Sequence, residues 1–416
     1  MSESVVSAAQ AVRPVEAIRA AFPALRRQHR GQAVAYFDGP GGTQVPDVVA
    51  DRMRDYLLNH NANTHWAYPS SEETDAAIAD ARLALADFLG ASPDEIAFGA
   101  NMTTLTFHVS RALAREWQAG DEVIVTELDH HANVDPWRAV ARDRGLTVRT
   151  VPLDPATGEL DWPALERAFT PRTRLLAIGA ASNALGTVTD VAAAARLAHD
   201  AGALCFVDAV HYAPHAFVDV RTIGCDLLAC SPYKFYGPHL GTMFVRQDLL
   251  ERLDVPKVEP AADHGPDRLE TGTQSHEAIV GAAAAVDFLV SLSPAATSRR
   301  EGLRSTMAGL HERGLQQVTR LWHALRALPG VSVYGPPPNR PRTSTLSFVV
   351  AGTSSTEVAR HCATRGLFVS NGDFYALTVA RRLGHADDGF VRLGCAAYTS
   401  DDEVERVIAA IAEVAR

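Results

Sequence analysis

The 416-residue chain lacks several features that define whole classes of protein. No apolar run reaches the roughly 18 to 20 residues that a helix needs to cross a bilayer, so we expect no membrane-spanning segment. Positive charge is also scarce, because 39 lysines and arginines stand against 49 aspartates and glutamates, and the formal net charge is −10. This balance argues against nonspecific binding to nucleic acid or to an anionic membrane surface.

Cysteine is rare, and its placement argues against common metal and disulfide patterns. No Cys-x-x-Cys pair occurs among the five cysteines, which are Cys205, Cys225, Cys230, Cys362 and Cys395. Their scatter is typical of free thiols in a reducing cytosol. His130 and His131 are adjacent, and neighbours in sequence do not face one site on regular structure, so we expect no metal centre. The first residues lack the basic flank and apolar core of a secretory signal, which favours a cytoplasmic location.

The sequence also lacks a Walker lysine motif and a Gly-x-Gly-x-x-Gly run, which argues against a nucleotide enzyme. Its most informative residue is Lys234, which ends a mostly apolar stretch that begins at Asp226. A lysine in apolar surroundings loses hydration, its pKa falls, and the free amine becomes available for Schiff-base chemistry. A lone lysine at such a position more often ends a strand and reaches out to water. The other residues of the predicted site therefore decide between the two interpretations.

Strand-like and helix-like segments alternate from Tyr36 onward. This alternation predicts an α/β fold with a mainly parallel sheet covered on both faces. We expect an N-terminal segment over residues 1–35 that packs with the smaller of two domains. A large domain is predicted over residues 36–294 and a small α+β domain over residues 295–416.

Polar side chains stand at the ends of several predicted strands. Asp208 ends a buried strand-like run, and His211 follows three residues later. Open α/β sheets bind ligands at this edge, and pyridoxal phosphate requires a carboxylate that keeps its pyridine nitrogen protonated. Asp208 is suited to that task, while His211 can reach the ring hydroxyl and Asn183 can donate to the ring oxygen. His130 is interpreted as an imidazole stacked on the ring.

A hydroxyl-rich turn before a helical pattern offers a place for a phosphate group. The turn contains Met102, Thr103 and Thr104. Amides at a helix start, together with hydroxyl groups, bind phosphate well. Ser231, three residues before Lys234, supplies a further hydroxyl. Each of these signals is weak alone, because serine and threonine are also ordinary helix caps.

Four motifs follow one another along the chain, namely Asp129-His130-His131-Ala-Asn133, Ser182-Asn183-Ala-Leu-Gly-Thr187, Asp208-Ala-Val-His211 and Ser231-Pro-Tyr-Lys234-Phe-Tyr-Gly237. In this order they resemble the class V aminotransferases, which are pyridoxal phosphate enzymes of fold type I. The similarity is greatest to the branch of group II cysteine desulfurases and selenocysteine lyases. It extends from about Tyr36 to the end of the chain.

The resemblance implies a large domain with a mainly parallel seven-stranded sheet and a smaller C-terminal α/β domain. It also implies that Lys234 binds pyridoxal 5′-phosphate as the internal aldimine and forms the catalytic set with His130 and Asp208. Tyr233 stands where the family usually has a histidine that binds phosphate, and a phenol can still donate there. The full set implied to bind the cofactor is Lys234, Asp208, His211, Asn183, His130, Met102, Thr103, Ser231, Tyr233 and Thr273.

Family members are homodimers, so the resemblance implies a second copy of the chain as partner. Thr273 matches the threonine that the family lends to the partner's phosphate. Arg392 matches the arginine that clamps the α-carboxylate of an amino-acid substrate, a task that suits bidentate guanidinium geometry. The stretch that begins at Gly39 either lets the backbone approach the substrate or forms an ordinary turn. The substrate pocket is further expected to include His65, Trp66, Asp373 and Tyr375.

The departures from the family pattern bear on the reaction. Tyr375 occupies the position of the family's loop cysteine, which takes sulfur as a persulfide. Ser370 and Trp66 occupy the positions of two arginines of the family. Without that thiol the persulfide route is closed, so we expect β-elimination from cysteine or an S-substituted cysteine, with Lys234 removing the α-proton. An aminotransferase or epimerase reaction is the alternative. A noncatalytic, cofactor-bound scaffold is a second alternative, and Cys395 keeps a small chance of lining the pocket.

Overall fold

A computed structural model describes residues 12–415, in which a seven-stranded sheet organises the large domain. In chain order the strands are β1 (Ile96–Gly99), β2 (Glu122–Thr126), β3 (Thr147–Val151), β4 (Thr173–Gly179), β5 (Leu204–Asp208), β6 (Leu227–Cys230) and β7 (Gly241–Val245). They lie side by side in the order β1-β7-β6-β5-β4-β2-β3. Neighbours are parallel except at β7, which runs antiparallel to β6 and β1. The carboxyl ends of β4, β5 and β6 therefore meet at one edge.

Helices cover both faces of this sheet. Those that precede residue 295 are α1 (Val15–Arg19), α2 (Asp47–Asp55), α3 (Pro69–Leu89), α4 (Met102–Leu113), α5 (Asp135–Arg144), α6 (Trp162–Ala168), α7 (Val191–Asp200), α8 (Val220–Ile223), α9 (Gln247–Arg252) and α10 (His276–Ser291). On β2, Ile124 packs into the core that includes α3, α7 and α10, whereas Val123 and Val125 pack against α4 and α5. The mostly apolar strands thus reflect burial of alternate side chains on opposite faces.

A four-stranded antiparallel sheet organises the small domain. Its strands are β8 (Val331–Tyr334), β9 (Thr345–Val350), β10 (Ser370–Gly372) and β11 (Phe390–Gly394), in the order β8-β9-β11-β10. The helices of this domain are α11 (Arg299–Arg326), α12 (Ser355–Thr364), α13 (Leu377–Arg382) and α14 (Asp401–Val414). Ser400 and Glu403 form the capping box that their spacing predicts at the start of α14.

The N-terminal segment contacts both domains. The ring of Phe22 packs against those of Tyr236, Phe288 and Tyr398. Further along, Ala35–Tyr36 pairs in parallel with Leu367–Phe368 of the small domain. Two short hairpin-like pairs complete the β-structure, Gln28–His29 with Gln32–Ala33 and Leu153–Asp154 with Glu159–Leu160.

The predicted fold class is confirmed, including the mainly parallel seven-stranded sheet and the smaller C-terminal domain. The boundaries after residues 35 and 294 stay predictions. Part of the predicted N-terminal segment, residues 1–11, lies outside the described residues. No helix among residues 12–415 is long and apolar enough to cross a membrane.

Candidate active site

Lys234 lies at the end of a short 3₁₀ helix, Pro232–Lys234, directly after β6. Its side chain is buried, and the ammonium group donates a hydrogen bond to the carbonyl oxygen of Pro40. Burial and the nearby positive charge of Arg392 together lower the pKa of Lys234 to about 7, although the charge of Asp208 acts in the opposite direction. A large fraction of the amine is therefore unprotonated near neutral pH. The chain has one other lysine, Lys257, which pairs with Asp263.

Asp208 is the last residue of β5, the strand next to β6. It is paired in register with Gly179 of β4 and Ala229 of β6, and its Oδ1 accepts a hydrogen bond from the Val210 amide at 2.9 Å. Burial raises the pKa of Asp208 to about 6, while the Val210 amide and the charge of Lys234 act in the opposite direction. The strand ends thus bring a buried acid and a buried amine to one cavity, as the sequence predicts.

The cavity at this edge is the candidate cofactor site. Nine of the ten residues implied to bind the cofactor line it, namely Lys234, Asp208, His211, Asn183, His130, Met102, Thr103, Ser231 and Tyr233. Two buried atoms there, Asn183 Oδ1 and His211 Nδ1, have no hydrogen-bond partner among residues 12–415. A buried polar atom without a partner costs about 1–3 kcal/mol, so both atoms fit a polar ligand such as the pyridoxal ring.

The opposite end of the cavity fits a phosphate group. Helix α4 begins there, and Asn101 caps it by accepting a hydrogen bond from the Thr104 amide at 2.8 Å. The cap leaves the amides of Met102 and Thr103 for a ligand, since the first amides of a helix have no partner within it. Ser231 lines the same cavity. The amides and hydroxyls at this helix start provide a suitable environment for an anion.

His130 forms one wall of the cavity. Its Nδ1 accepts a hydrogen bond from the Ala132 amide at 3.0 Å, so the proton of the neutral ring lies on Nε2. Burial and the charge of Lys234 lower the pKa of His130 to about 4. The ring of Tyr375 stacks on the imidazole, with centroids 5.5 Å apart and planes 27° from parallel. At neutral pH the imidazole of His130 is therefore uncharged and presents a flat surface. The imidazolium form, which would donate a proton, is scarce.

Arg392 projects from β11 of the small domain and is 3% exposed. One terminal nitrogen donates to the carbonyl oxygen of Asn183 at 2.9 Å, and the guanidinium lies 3.9 Å from the centre of the Phe374 ring. Its Nε has no hydrogen-bond partner within residues 12–415. Burial lowers its pKa to about 9, although the charge of the nearby Asp38 acts in the opposite direction, and the group stays charged at neutral pH. A buried cation with an unpartnered Nε is suited to bind the carboxylate of a ligand.

The turn Asp373–Tyr375 contacts both the large-domain residues Asn183 and His131 and Arg392 of the small domain. Phe374 and Tyr375 have φ values of 58° and 57°, a left-handed conformation that costs energy in residues with a side chain. Four hydrogen bonds hold the turn. The Asn183 amide nitrogen donates to Phe374 O at 2.8 Å and the His131 amide to Tyr375 O at 2.8 Å. The Tyr375 amide donates to Asp373 Oδ1 and the Ala376 amide to Asp373 O, both at 2.9 Å. Tyr375 thus remains over His130 although 74% of its surface is exposed.

The remaining predicted residues divide between two locations. Gly39 lies in the turn beside Pro40 and lines a second cavity on Lys234. His65, Trp66 and Thr273 are exposed and do not line the cofactor cavity of their own chain. The imidazole of His65 instead lies 3.2 Å from a carboxylate oxygen of Asp75. No group of three or more His, Cys, Asp or Glu side chains is placed to hold a metal ion within residues 12–415.

The sequence did not predict the place of Asp129 in the cavity, nor two contacts of the site. Asp129 lines the cofactor cavity, and burial together with the charge of Asp208 raises its pKa to about 8. Phe374 covers Arg392, and the Pro40 carbonyl binds Lys234. The signal for Asp129 was its position directly before His130. No rule of residue preference identifies the other two contacts.

Fold and site together define a pyridoxal phosphate enzyme of fold type I. The model of the family "Aminotransferase class-V" matches residues 35–407, and the chain belongs to this family. It is a pyridoxal phosphate-dependent enzyme that acts on an amino acid, and its cofactor is pyridoxal 5′-phosphate.

The similarity to known proteins covers nearly the whole chain. A cysteine desulfurase of Dickeya dadantii is 30% identical, with 97% of each chain covered. The aminotransferase-like protein FGM3 of Gibberella zeae is 32% identical over 95% of this chain and 97% of its own. Among solved structures, the apo cysteine desulfurase of Thermococcus onnurineus superposes with a TM-score of 0.87 at 27% identity, covering 97% of this chain and 98% of that one.

Proposed function

We propose that the chain catalyses β-elimination from cysteine or an S-substituted cysteine. For cysteine the balance is cysteine plus water giving pyruvate, ammonia and hydrogen sulfide. With an S-substituted substrate the corresponding thiol leaves in place of sulfide. Relatives that are named cysteine desulfurase support cysteine as the substrate class.

The observation that carries this proposal is the identity of Tyr375. The resemblance aligns it with the loop cysteine that accepts sulfur in desulfurases, and the turn at Asp373–Tyr375 holds its ring against His130. A phenol cannot form a persulfide. In the proposed reaction the sulfur is therefore released as hydrogen sulfide or a thiol and is not bound to this loop as a persulfide.

The other thiols of the chain do not replace the missing one. All five cysteines are buried, and none lines the cofactor cavity. Burial raises the pKa of Cys362 to about 11 and that of Cys395 to about 12, and it raises the pKa values of the other three as well. Because the thiolate is the reactive form, these groups are poor nucleophiles.

In the proposed reaction, each step has a residue of this chain whose position and charge suit it. Pyridoxal phosphate, when bound, supplies the electron sink that stabilises negative charge at the substrate Cα. Lys234 takes the α-proton, because its lowered pKa keeps the amine free near neutral pH. Arg392 binds the α-carboxylate and so fixes which bond of Cα faces Lys234. The Cβ–S bond then breaks, and the sulfur leaves with a proton.

The neighbours of Lys234 support this step in different ways. Asp208 presents a carboxylate for the pyridine nitrogen, and its raised pKa of about 6 still leaves it mostly ionised at neutral pH. His130, as a neutral imidazole, would cover one face of the ring. Asn183 and His211 would hold the ring oxygen, and the start of α4 with Ser231 would hold the phosphate.

We further propose that the active unit is a cytoplasmic homodimer. Thr273 and His65 lie exposed, away from the cofactor cavity of their own chain, which suits residues that serve a partner. Apolar side chains are exposed near His65, with Leu58 at 65% and Trp66 at 56%. Five free thiols suit a reducing compartment. A sedimentation measurement that finds only a monomer at micromolar concentration would contradict the dimer.

The test is a panel of free and S-substituted amino acids incubated with the cofactor-loaded enzyme. Pyruvate, ammonia and sulfide or thiol should appear in equal amounts without any keto-acid acceptor. Turnover that depends on an acceptor would instead establish an aminotransferase, the reaction type suggested by the relative FGM3. Recovery of the opposite enantiomer would establish an epimerase.

A second measurement separates direct elimination from a persulfide route. Native enzyme treated with iodoacetamide should keep its full activity, because all five thiols are buried. Inactivation together with alkylation of one cysteine would show that a thiol takes part and would overturn the proposal.

A further inference from the structure

A second cavity lies on Lys234, separate from the cofactor cavity. We call it the rear cavity, and the residues that line it include Gly39, His215, Lys234, His311, Gly314 and Gln317. Its volume is about 30 Å³. A cavity needs roughly 10–15 Å³ to hold a water molecule, so there is room for one or two. Lys234 lines both cavities and thus separates them.

The rear cavity has the polar lining that buried water requires. Gln317 is 4% exposed, and its side-chain nitrogen donates to the Thr399 carbonyl at 2.9 Å. Its Oε1 has no hydrogen-bond partner within residues 12–415. Ser344 Oγ donates to the Cys395 carbonyl at 2.8 Å and keeps a lone pair that can accept, and it lies 3.4 Å from His215 Nδ1 in the lining of the same cavity. Buried water typically makes about three hydrogen bonds, and this set can supply them.

The rear cavity borders a second, larger cavity between the two domains. His215 and His311 line both the rear cavity and a larger neighbouring cavity of about 340 Å³. His311 is itself exposed. Burial lowers the pKa of His215 to about 3, so its ring is neutral and can both accept and donate a hydrogen bond. A line of polar groups therefore leads from Lys234 past Gln317 and His215 to solvent at His311.

We propose that the rear cavity holds ordered water through which Lys234 exchanges with solvent the proton that it takes from the substrate. The ammonium of Lys234 gives a proton to this water, and a proton passes to solvent at His311. The reverse transfer returns a solvent proton to the amine, so atoms and charge balance. Gln317, Ser344 and His215 are positioning residues for the water. This inference rests on the proposed function, in which Lys234 is the base.

The test uses L-alanine in deuterated water, because alanine has an α-hydrogen but no β-leaving group. Mass spectrometry measures deuterium uptake at Cα, and stopped-flow absorbance of the bound cofactor measures removal of the α-hydrogen independently. Gly314→Ala places a methyl group in the rear cavity, where it would lie 3.0 Å from Ser344 Cβ. The quantity compared is the ratio of deuterium taken up at Cα to α-hydrogen removed. We expect this ratio to fall about tenfold in Gly314→Ala and in His215→Phe.

A matched control comes from the same helix. His323→Phe changes an exposed histidine of α11 that does not line the rear cavity, and it should leave the ratio unchanged. High-resolution crystals supply a readout that does not depend on turnover. Ordered water bonded to Gln317 Oε1 should be present in the wild type and absent in Gly314→Ala.

The outcomes separate this inference from the proposed function. If the wild type removes no α-hydrogen from any amino acid, Lys234 is not the base and the proposed function fails. If the wild type exchanges deuterium and both cavity variants do so at the same ratio, the water path is wrong while the function stands. A dry rear cavity in well-ordered crystals would also overturn the path.

Discussion

The cofactor end and the substrate end of the site are built in different ways. The cofactor end comes from adjacent strand ends of one sheet and from the start of α4, and its lining is mostly buried. The substrate end combines Arg392 of the small domain, the turn Asp373–Tyr375 and exposed loops. Two departures from the family pattern that bear on the reaction, Ser370 and Tyr375, fall at the substrate end, whereas Tyr233 lines the cofactor end and Trp66 lies exposed outside the cavity. The comparison teaches that the cofactor chemistry and the choice of substrate occupy separable parts of the molecule.

Removing the amine at the cofactor end should have the largest effect. In Lys234→Ala we expect product formation to fall on the order of 10⁴-fold, because the proton acceptor is lost. Lys257→Ala is the matched control, since Lys257 is the other lysine of the chain. Borohydride reduction followed by peptide mapping should attach pyridoxal to the peptide with Lys234. Label on the Lys257 peptide alone would refute the cofactor assignment.

Removing the carboxylate clamp should weaken substrate binding and leave the cofactor end intact. In Arg392→Ala we expect the free energy of substrate binding to weaken by about 1.5–3 kcal/mol, because a charge-assisted contact with the α-carboxylate disappears. Absorbance titration with amino acids measures this loss, and the spectrum of the cofactor without substrate should match that of the wild type. An unchanged affinity for amino acids would show that the carboxylate binds elsewhere.

Asp129, at the cofactor end, should make the stability of the protein depend on pH. Its pKa rises from an ordinary value of 3.8 to about 8 in the folded protein, so the folded state holds a proton that the unfolded state releases. This contribution to stability is present below about pH 4 and is lost as the pH rises toward 8. The uncharged amide of Asp129→Asn removes that dependence.

Denaturant unfolding of the cofactor-free protein at about pH 5 and about pH 8 measures this effect. Wild type should lose more stability over the interval than Asp129→Asn. Groups that do not interact with Asp129 contribute equally to both proteins and cancel in the comparison, whereas Asp208 is coupled to Asp129 and its change belongs to the measured difference. Equal losses would mean that Asp129 is ionised in the folded protein.

The smallest effect is expected at the outer surface of the substrate end. Tyr375→Phe keeps the ring that stacks on His130, so activity should stay within about twofold of wild type. Tyr375→Ala removes the ring contact, which is worth about 0.5–1.5 kcal/mol, and should weaken binding of the substrate modestly. Steady-state kinetics on the best amino acid of the panel measures both. A large loss in Tyr375→Phe would assign the hydroxyl a chemical role.

The sequence predicted the cofactor end better than the substrate end, for a physical reason. Lys234 and Asp208 follow apolar runs, and the geometry of a parallel sheet brings strand ends together, so a local pattern locates both. Phe374 lies on Arg392 only because two bulky residues adopt left-handed φ values, which residue preferences do not anticipate. The same holds for the rear cavity, since it depends on how α11 packs against the loop that contains His215. Contacts between domains are set by tertiary packing and leave little trace in a local pattern.

The path of the N-terminal segment has a consequence for motion of the two domains. Phe22 is fixed between rings of both domains, Tyr236 and Phe288 of the large domain and Tyr398 of the small domain. A rotation that opens the cleft must therefore break ring contacts of Phe22. The stretch that follows, up to Ala35, is largely exposed and turns at Arg30 and Gly31, which have φ values of 51° and 75°. The ring contacts of Phe22, worth about 0.5–1.5 kcal/mol for each pair, thus oppose opening of the cleft more than this exposed stretch does.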